Sequence, residues 1–161
     1  MSGPIKIWLS AVYAPVYRCG GWASVRLSDG QRSGLAGGDR NTTASRLALA
    51  GLAAALRDLP PGAVVEIQTD SAELGPAARL LASPGMPTQA AAVEDDLDLW
   101  AQILTASKDR RLSLSIASAA PKTPLAFAAA WSDLSRDKAK ATGAFSSAIP
   151  KPNLAKVQGL D

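Results

Sequence analysis

Val64-Val65-Glu66-Ile67-Gln68-Thr69-Asp70-Ser71 is a short, β-branched apolar run that ends in a carboxylate and a hydroxyl. It follows the turn Pro60-Pro61-Gly62, and helix-type sequence lies on both sides of it. That pattern predicts a buried central strand of an α/β sheet, with Asp70 at its carboxyl end. Ligands of open α/β sheets bind off the carboxyl ends of strands, so a site belongs at Asp70.

Working back from this strand, Thr42-Thr43 offer hydroxyl caps for a helix from about Ala44 to Arg57, with Leu49, Leu52, Leu56 and Leu59 recurring on one face. Before it, Ile5–Leu9, Trp22–Leu27 and Gln31–Leu35 read as three antiparallel strands, with Asp29-Gly30 as a hairpin turn and Ser10–Gly21 as a loop. Working forward, Asp70-Ser71-Ala72-Glu73 matches a capping box that opens a helix to about Ala82. Ser83–Gln89 reads as a loop, and Glu94–Ser107 as a helix with acidic residues at its front and Lys108, Arg110 and Arg111 past its end. Leu112–Ile116 alternates as a fifth strand, and Pro124–Ala141 forms a last helix with proline in its first turn. Residues 1–144 are expected to be one domain and 145–161 an extended or flexible tail. Ile149, Leu154 and Val157 give that tail apolar character to dock on the body or on a partner, and fraying is the other expectation.

Composition excludes several chemistries. With 161 residues and no histidine, the chain has neither the commonest general base nor the commonest metal ligand. A single cysteine, Cys19, rules out an intramolecular disulfide framework and a cysteine-based zinc cluster. The amino terminus lacks the charge and apolar pattern of a signal peptide, and no run is long enough to span a bilayer, so a cytoplasmic protein is expected. The net charge of +3 permits a polyanionic partner. Its distribution is uneven: from Ala101 onward, nine Lys and Arg stand against four Asp and Glu.

Five segments in this order resemble the type 1 ribonuclease H family: Gly20-Gly21-Trp22-Ala23, Thr42-Thr43-Ala44-Ser45-Arg46-Leu47-Ala48-Leu49, Thr69-Asp70-Ser71, Leu97-Asp98-Leu99-Trp100, and Trp131-Ser132-Asp133-Leu134-Ser135-Arg136. The resemblance covers roughly Ile5 to Ala141. It implies an α/β ribonuclease H-like fold: a five-stranded mixed sheet of order 3-2-1-4-5, flanked by about four helices. It also implies a family chemistry in which two Mg²⁺ ions, held by four carboxylates, cut the RNA strand of RNA–DNA hybrids. Closely spaced carboxylates need such metals to neutralise them.

Carried over residue by residue, the four positions fall on Ser10, Ala48, Asp70, and Ser132 or Asp133. The family's histidine, which would lie between Ser118 and Thr123, is absent. No intact catalytic set is therefore expected, no cofactor is required, and Mg²⁺ or Mn²⁺ matters only if residual activity persists. Asp70 reads either as a helix cap or as a weak metal ligand. The resemblance also implies a nucleic-acid surface at Tyr13, Tyr17, Arg18, Arg40, Asn41, Thr42, Thr43 and Lys122. The family's basic protrusion falls on Ser83–Asp96, which has no Lys or Arg and ends in Glu94-Asp95-Asp96.

Three functions are carried forward. One is a catalytically inactive ribonuclease H-like protein that binds RNA or RNA–DNA hybrid. Another is a protein-interaction scaffold or homodimer that uses the sheet edge, Trp8, Trp22 and the tail. The third is a divergent Mg²⁺- or Mn²⁺-dependent hybrid endonuclease, in effect an endoribonuclease.

Overall fold

The computed structural model describes residues 3–82 and 96–160. The expected Ser83–Gln89 loop and the acidic start at Glu94 and Asp95 lie outside them. Six strands form one sheet: β1 (Ile5–Ala14), β2 (Cys19–Ser28), β3 (Gln31–Arg40), β4 (Val64–Thr69), β5 (Arg111–Ile116) and β6 (Phe145–Ala148). Their order is β5-β4-β1-β2-β3-β6. β1, β2, β3 and β6 run antiparallel in turn, while β4 pairs parallel with both β1 and β5. The order 3-2-1-4-5 is therefore present, with one added strand at the β3 edge.

The first three strands are longer than their apolar runs suggest, and in β2 and β3 the glycine pairs lie inside the strand and do not break it. Gly21 on β2 faces Gly38 on β3 across the ladder. A Cβ on Gly21 would run into the backbone of Ser132 and Arg136, and one on Gly38 would meet the Ala139 Cβ at 2.9 Å. These glycines let a helix lie directly on the sheet.

That helix is α4 (Pro124–Thr142), capped by Thr123, whose hydroxyl accepts from the Ala126 N–H. On the opposite face lie α1 (Ala44–Ala55), α2 (Gly75–Ala82) and α3 (Leu97–Ser107). Thr43 caps α1 by accepting from the Arg46 N–H at 3.1 Å. Arg26 covers its other end, donating to the Ala55 and Arg57 carbonyls. The helix expected directly after β4 is split. Residues Ala72–Leu74 form a 3₁₀ turn, and α2 starts only at Gly75-Pro76. Pro76 has no N–H and its ring crowds the preceding turn, so it suits a helix start and not an interior.

The main core packs Ile7, Leu9, Val65 and Ile67 of the sheet against Leu47, Leu52, Leu74 and Ile103 of the helices. A second cluster lies on the α4 face and joins Ala23, Val25 and Ala36 to Ile149, Leu154 and Val157. The tail is thus part of the fold. After β6 it makes a single turn, α5 (Lys151–Leu154), and crosses the sheet to bring Gly159 beside Lys122 and Pro124. Each buried Ile, Leu or Val contributes about 1.5–3 kcal/mol, which secures a segment with few other bonds.

Of the surfaces expected for a protein partner, one side chain is internal and the sheet edge moves outward, with β5 and β6 outermost. Trp22 is 5% exposed, and β6 covers the β3 edge. Among the described residues, no helix is long and apolar enough to cross a membrane.

Candidate functional site

β1 and β4 run parallel, and their register sets Leu9 beside Thr69, so Ser10 and Asp70 leave the ladder together. α4 lies across this point on the glycine pairs and brings Ser132 down onto Ser10. Ser10 and Ser132 are both fully buried. The Ser10 Oγ donates to Asp70 Oδ2 at 2.9 Å and stands 3.1 Å from the Ser132 Oγ. Ser132 in turn donates to the Ala129 carbonyl at 2.8 Å. Of the two alternatives on α4, Ser132 faces the centre. Asp133 is turned to solvent and lies 3.4 Å from Arg136. Ala48 is buried in the main core and brings a methyl group.

The expected capping role of Asp70 is not what the structure shows. Ser71 occupies the cap position without a side-chain bond, and its N–H is taken by the Thr69 hydroxyl at 3.1 Å. The Asp70 carboxyl points instead to Ser10. Its Oδ1 is shielded from water and has no hydrogen-bond partner.

Burial pushes the Asp70 pKa up, against the lowering effect of the Ser10 hydroxyl and nearby amides, and the Asp133 charge adds to the rise.

This donor set does not suit a pair of divalent cations. Mg²⁺ takes oxygen ligands in octahedral geometry and is held by carboxylates, and here one carboxylate is bonded to a serine hydroxyl that lies against a second one. Among the described residues, no three Asp, Glu, Cys or His side chains converge.

The nucleic-acid candidates divide into two groups. Tyr13 donates its hydroxyl to the Thr42 carbonyl at 2.7 Å, Thr42 is buried, and Thr43 is occupied as the α1 cap. Tyr17, Arg18, Arg40, Asn41 and Lys122 are exposed. Lys122 stands apart from the others, just before α4, a helix about 28 Å long at 1.5 Å per residue. The other end of α4 meets the turn after β1, where Lys140 Nζ lies 3.6 Å from the centre of the Tyr17 ring.

One feature the motifs did not disclose is the fork of Arg46, which pairs with Asp96 at 3.0 Å and Asp98 at 2.8 Å and ties α1 to α3. These hydrogen bonds hold Arg46 charged and push the Asp98 pKa down to about 2. The sequence shows an arginine and an acidic helix start but not their meeting, fifty residues apart.

Two solved structures share this architecture. The N-terminal RNase H domain of Rv2228c from Mycobacterium tuberculosis, solved as a fusion with maltose-binding protein, superposes with a TM-score of 0.60 at 16% identity, covering 86% of this chain and 97% of that one. The fold is that of a ribonuclease H. RNase H1 from the halophilic archaeon Halobacterium salinarum NRC-1 gives a TM-score of 0.52 at 19% identity, covering 84% and 99%. No protein-family model and no curated relative matches the chain. β6 is an addition to the five-stranded sheet expected from the sequence.

Proposed function

We propose that this protein is a catalytically inactive ribonuclease H-like module that binds nucleic acid, RNA or an RNA–DNA hybrid, without a metal cofactor. The observation that carries this reading is the hydrogen-bonded set of Ser10, Asp70 and Ser132 at the carboxyl end of the central strands. Where two-metal cleavage needs clustered carboxylates to hold ions on both sides of the scissile phosphate, this centre offers one, already bonded to a serine.

The same substitution removes a barrier to binding. A cluster of ionised carboxylates repels a phosphate backbone until metals neutralise it, whereas a floor of hydroxyls does not. Binding should therefore be insensitive to metal. A second line of support is the excess of cations after Ala101.

The test is anisotropy with a labelled RNA–DNA hybrid in EDTA and in Mg²⁺, alongside a cleavage assay with Mg²⁺ or Mn²⁺. Equal Kd in both buffers and no cleavage is the expected result. Mn²⁺-dependent cutting that disappears in Asp70→Asn would establish a divergent nuclease instead. Absence of binding even at low salt would remove nucleic acid as the partner and return a protein scaffold to first place.

A further inference from the structure

Cations from three separate parts of the chain meet at the last turns of α4. The turn between β1 and β2 projects Val16 and Tyr17, which are 86% and 57% exposed, with Arg18 beside them. The Arg18 carbonyl accepts from the Thr42 N–H at 3.2 Å, which ties this turn to the β3–α1 corner. Arg40 ends β3 opposite Cys19, and its guanidinium reaches the Lys140 carbonyl at 3.5 Å, at the negative end of the helix dipole. The Lys140 ammonium covers one face of Tyr17, and the Lys138 ammonium lies 4.4 Å from the Phe145 ring centre on β6.

Among the described residues, Arg18, Arg40, Lys138 and Lys140 make no ion pair. The nearby carboxylates are engaged elsewhere: Asp133 and Asp137 lie against Arg136, and Asp39 accepts the Arg40 N–H. Helix-dipole compensation accounts for lysines near the end of α4. It does not account for Arg18 or for the exposed aromatic beside it.

We propose that the surface of Tyr17, Arg18, Arg40, Lys138 and Lys140 is a grip for a polynucleotide backbone, with the exposed face of Tyr17 available to a base or sugar. The proposal rests on the nucleic-acid reading above and names the surface that performs it. Several unpaired cations around an aromatic platform match phosphodiesters spaced along a strand, whose binding is led by counterion release and supplemented by stacking. The grip draws on the carboxyl end of α4 and on β6, so it replaces charge that the acidic Glu94-Asp95-Asp96 stretch does not supply.

The experiment is hybrid binding by the full chain across a salt series, for wild type and for a triple variant, Arg18→Gln with Lys138→Ala and Lys140→Ala. Lys108→Ala with Lys151→Ala and Lys156→Ala, which removes three exposed cations outside this surface, serves as the charge-matched control. Loss of three phosphate contacts should flatten the slope of log Kd against log salt by about 2–3 units and weaken binding about a hundredfold near 0.1 M salt. The control should keep the wild-type slope. A charge-preserving set, Arg18→Lys with Lys138→Arg and Lys140→Arg, should recover affinity. Wild-type slope and affinity in the triple variant would overturn the grip while leaving the nucleic-acid reading intact. A wild-type protein that fails to bind would overturn both.

Discussion

Two polar regions are built from the same elements, β1 and α4, in opposite ways. At the centre, Ser10 of β1 and Ser132 of α4 are fully buried and bond to each other, to one oxygen of Asp70 and to a backbone carbonyl. Two helical turns further along α4, Lys138 and Lys140 meet the turn after β1 in the open, stacked on rings and free of ion pairs among the described residues. Buried polar groups must find partners inside the protein, and those partners use up the capacity to hold a ligand. Exposed cations retain theirs. The contrast separates a centre that contributes to stability from a surface that contributes to binding, and each can be disturbed without the other.

The largest effect should come from making the centre charged. Ser10→Asp with Ala48→Glu places two new carboxylates in buried positions, at two of the ligand positions that the resemblance carries over with Asp70. Without metal they repel one another and lose hydration, and stability should fall by roughly 3–5 kcal/mol. Adding Mg²⁺ should restore part of the melting temperature, and calorimetry should show Mg²⁺ binding that the wild type lacks. If the double variant melts like wild type in EDTA, Ser10 and Ala48 do not share a site with Asp70.

A smaller effect is expected from separating α4 from the sheet. Gly21→Ala sets a methyl group against the Ser132 and Arg136 backbone, a contact that side-chain rotation cannot relieve. Overpacking of this kind costs about 1–3 kcal/mol. Chemical denaturation should register that loss. Hybrid affinity at low temperature, where the variant is still folded, should change little if binding resides at the far end of α4.

These two variants also show what the sequence disclosed. β4, the Thr43 cap and the proline at the start of α4 were legible because each is a local pattern, complete within a few residues. The extents of β2 and β3 were not, because Gly20-Gly21 and Gly37-Gly38 have the composition of a break, and only the helix pressed against them shows why glycine is there. β6 was invisible for a different reason. Phe145-Ser146-Ser147-Ala148 has no strand periodicity, and its partner, Leu35–Gly38, lies more than a hundred residues earlier. The centre was legible as positions, through a resemblance, but not as geometry. The bond between Ser10 and Asp70 spans sixty residues, and Asp70 read equally well as a local cap. The stacking of Lys140 on Tyr17 had no local signal at all.

The smallest effect concerns Asp70 itself and depends on pH. Its folded-state pKa is raised, first by burial, so the folded protein binds a proton more readily than the unfolded chain does. For a carboxylate shifted in that direction, the favourable contribution is present in acid and is lost as pH climbs from the unfolded value, about 3.9, through the higher folded one. Above that window the ionised group sits in the fold with Oδ1 unpaired. Asp70→Asn keeps the shape, accepts from Ser10 through its amide oxygen and carries no charge to desolvate. Near neutral pH its melting temperature should equal or exceed wild type by about 1–2 °C, a modest gain because Asp70 is only partly buried. The advantage should shrink as the buffer is taken down toward pH 4. Asp98 provides the opposite reference. Its pKa is held down to about 2 by hydrogen bonds from Arg46, so the support it gives is lost only in strong acid. Thermal melts of wild type and Asp70→Asn between pH 4 and neutrality therefore isolate the buried carboxyl. A melting temperature lower in the variant at neutral pH would mean that the ionised carboxylate stabilises the fold, and that the centre has kept more of a charged character than its hydrogen bonds indicate.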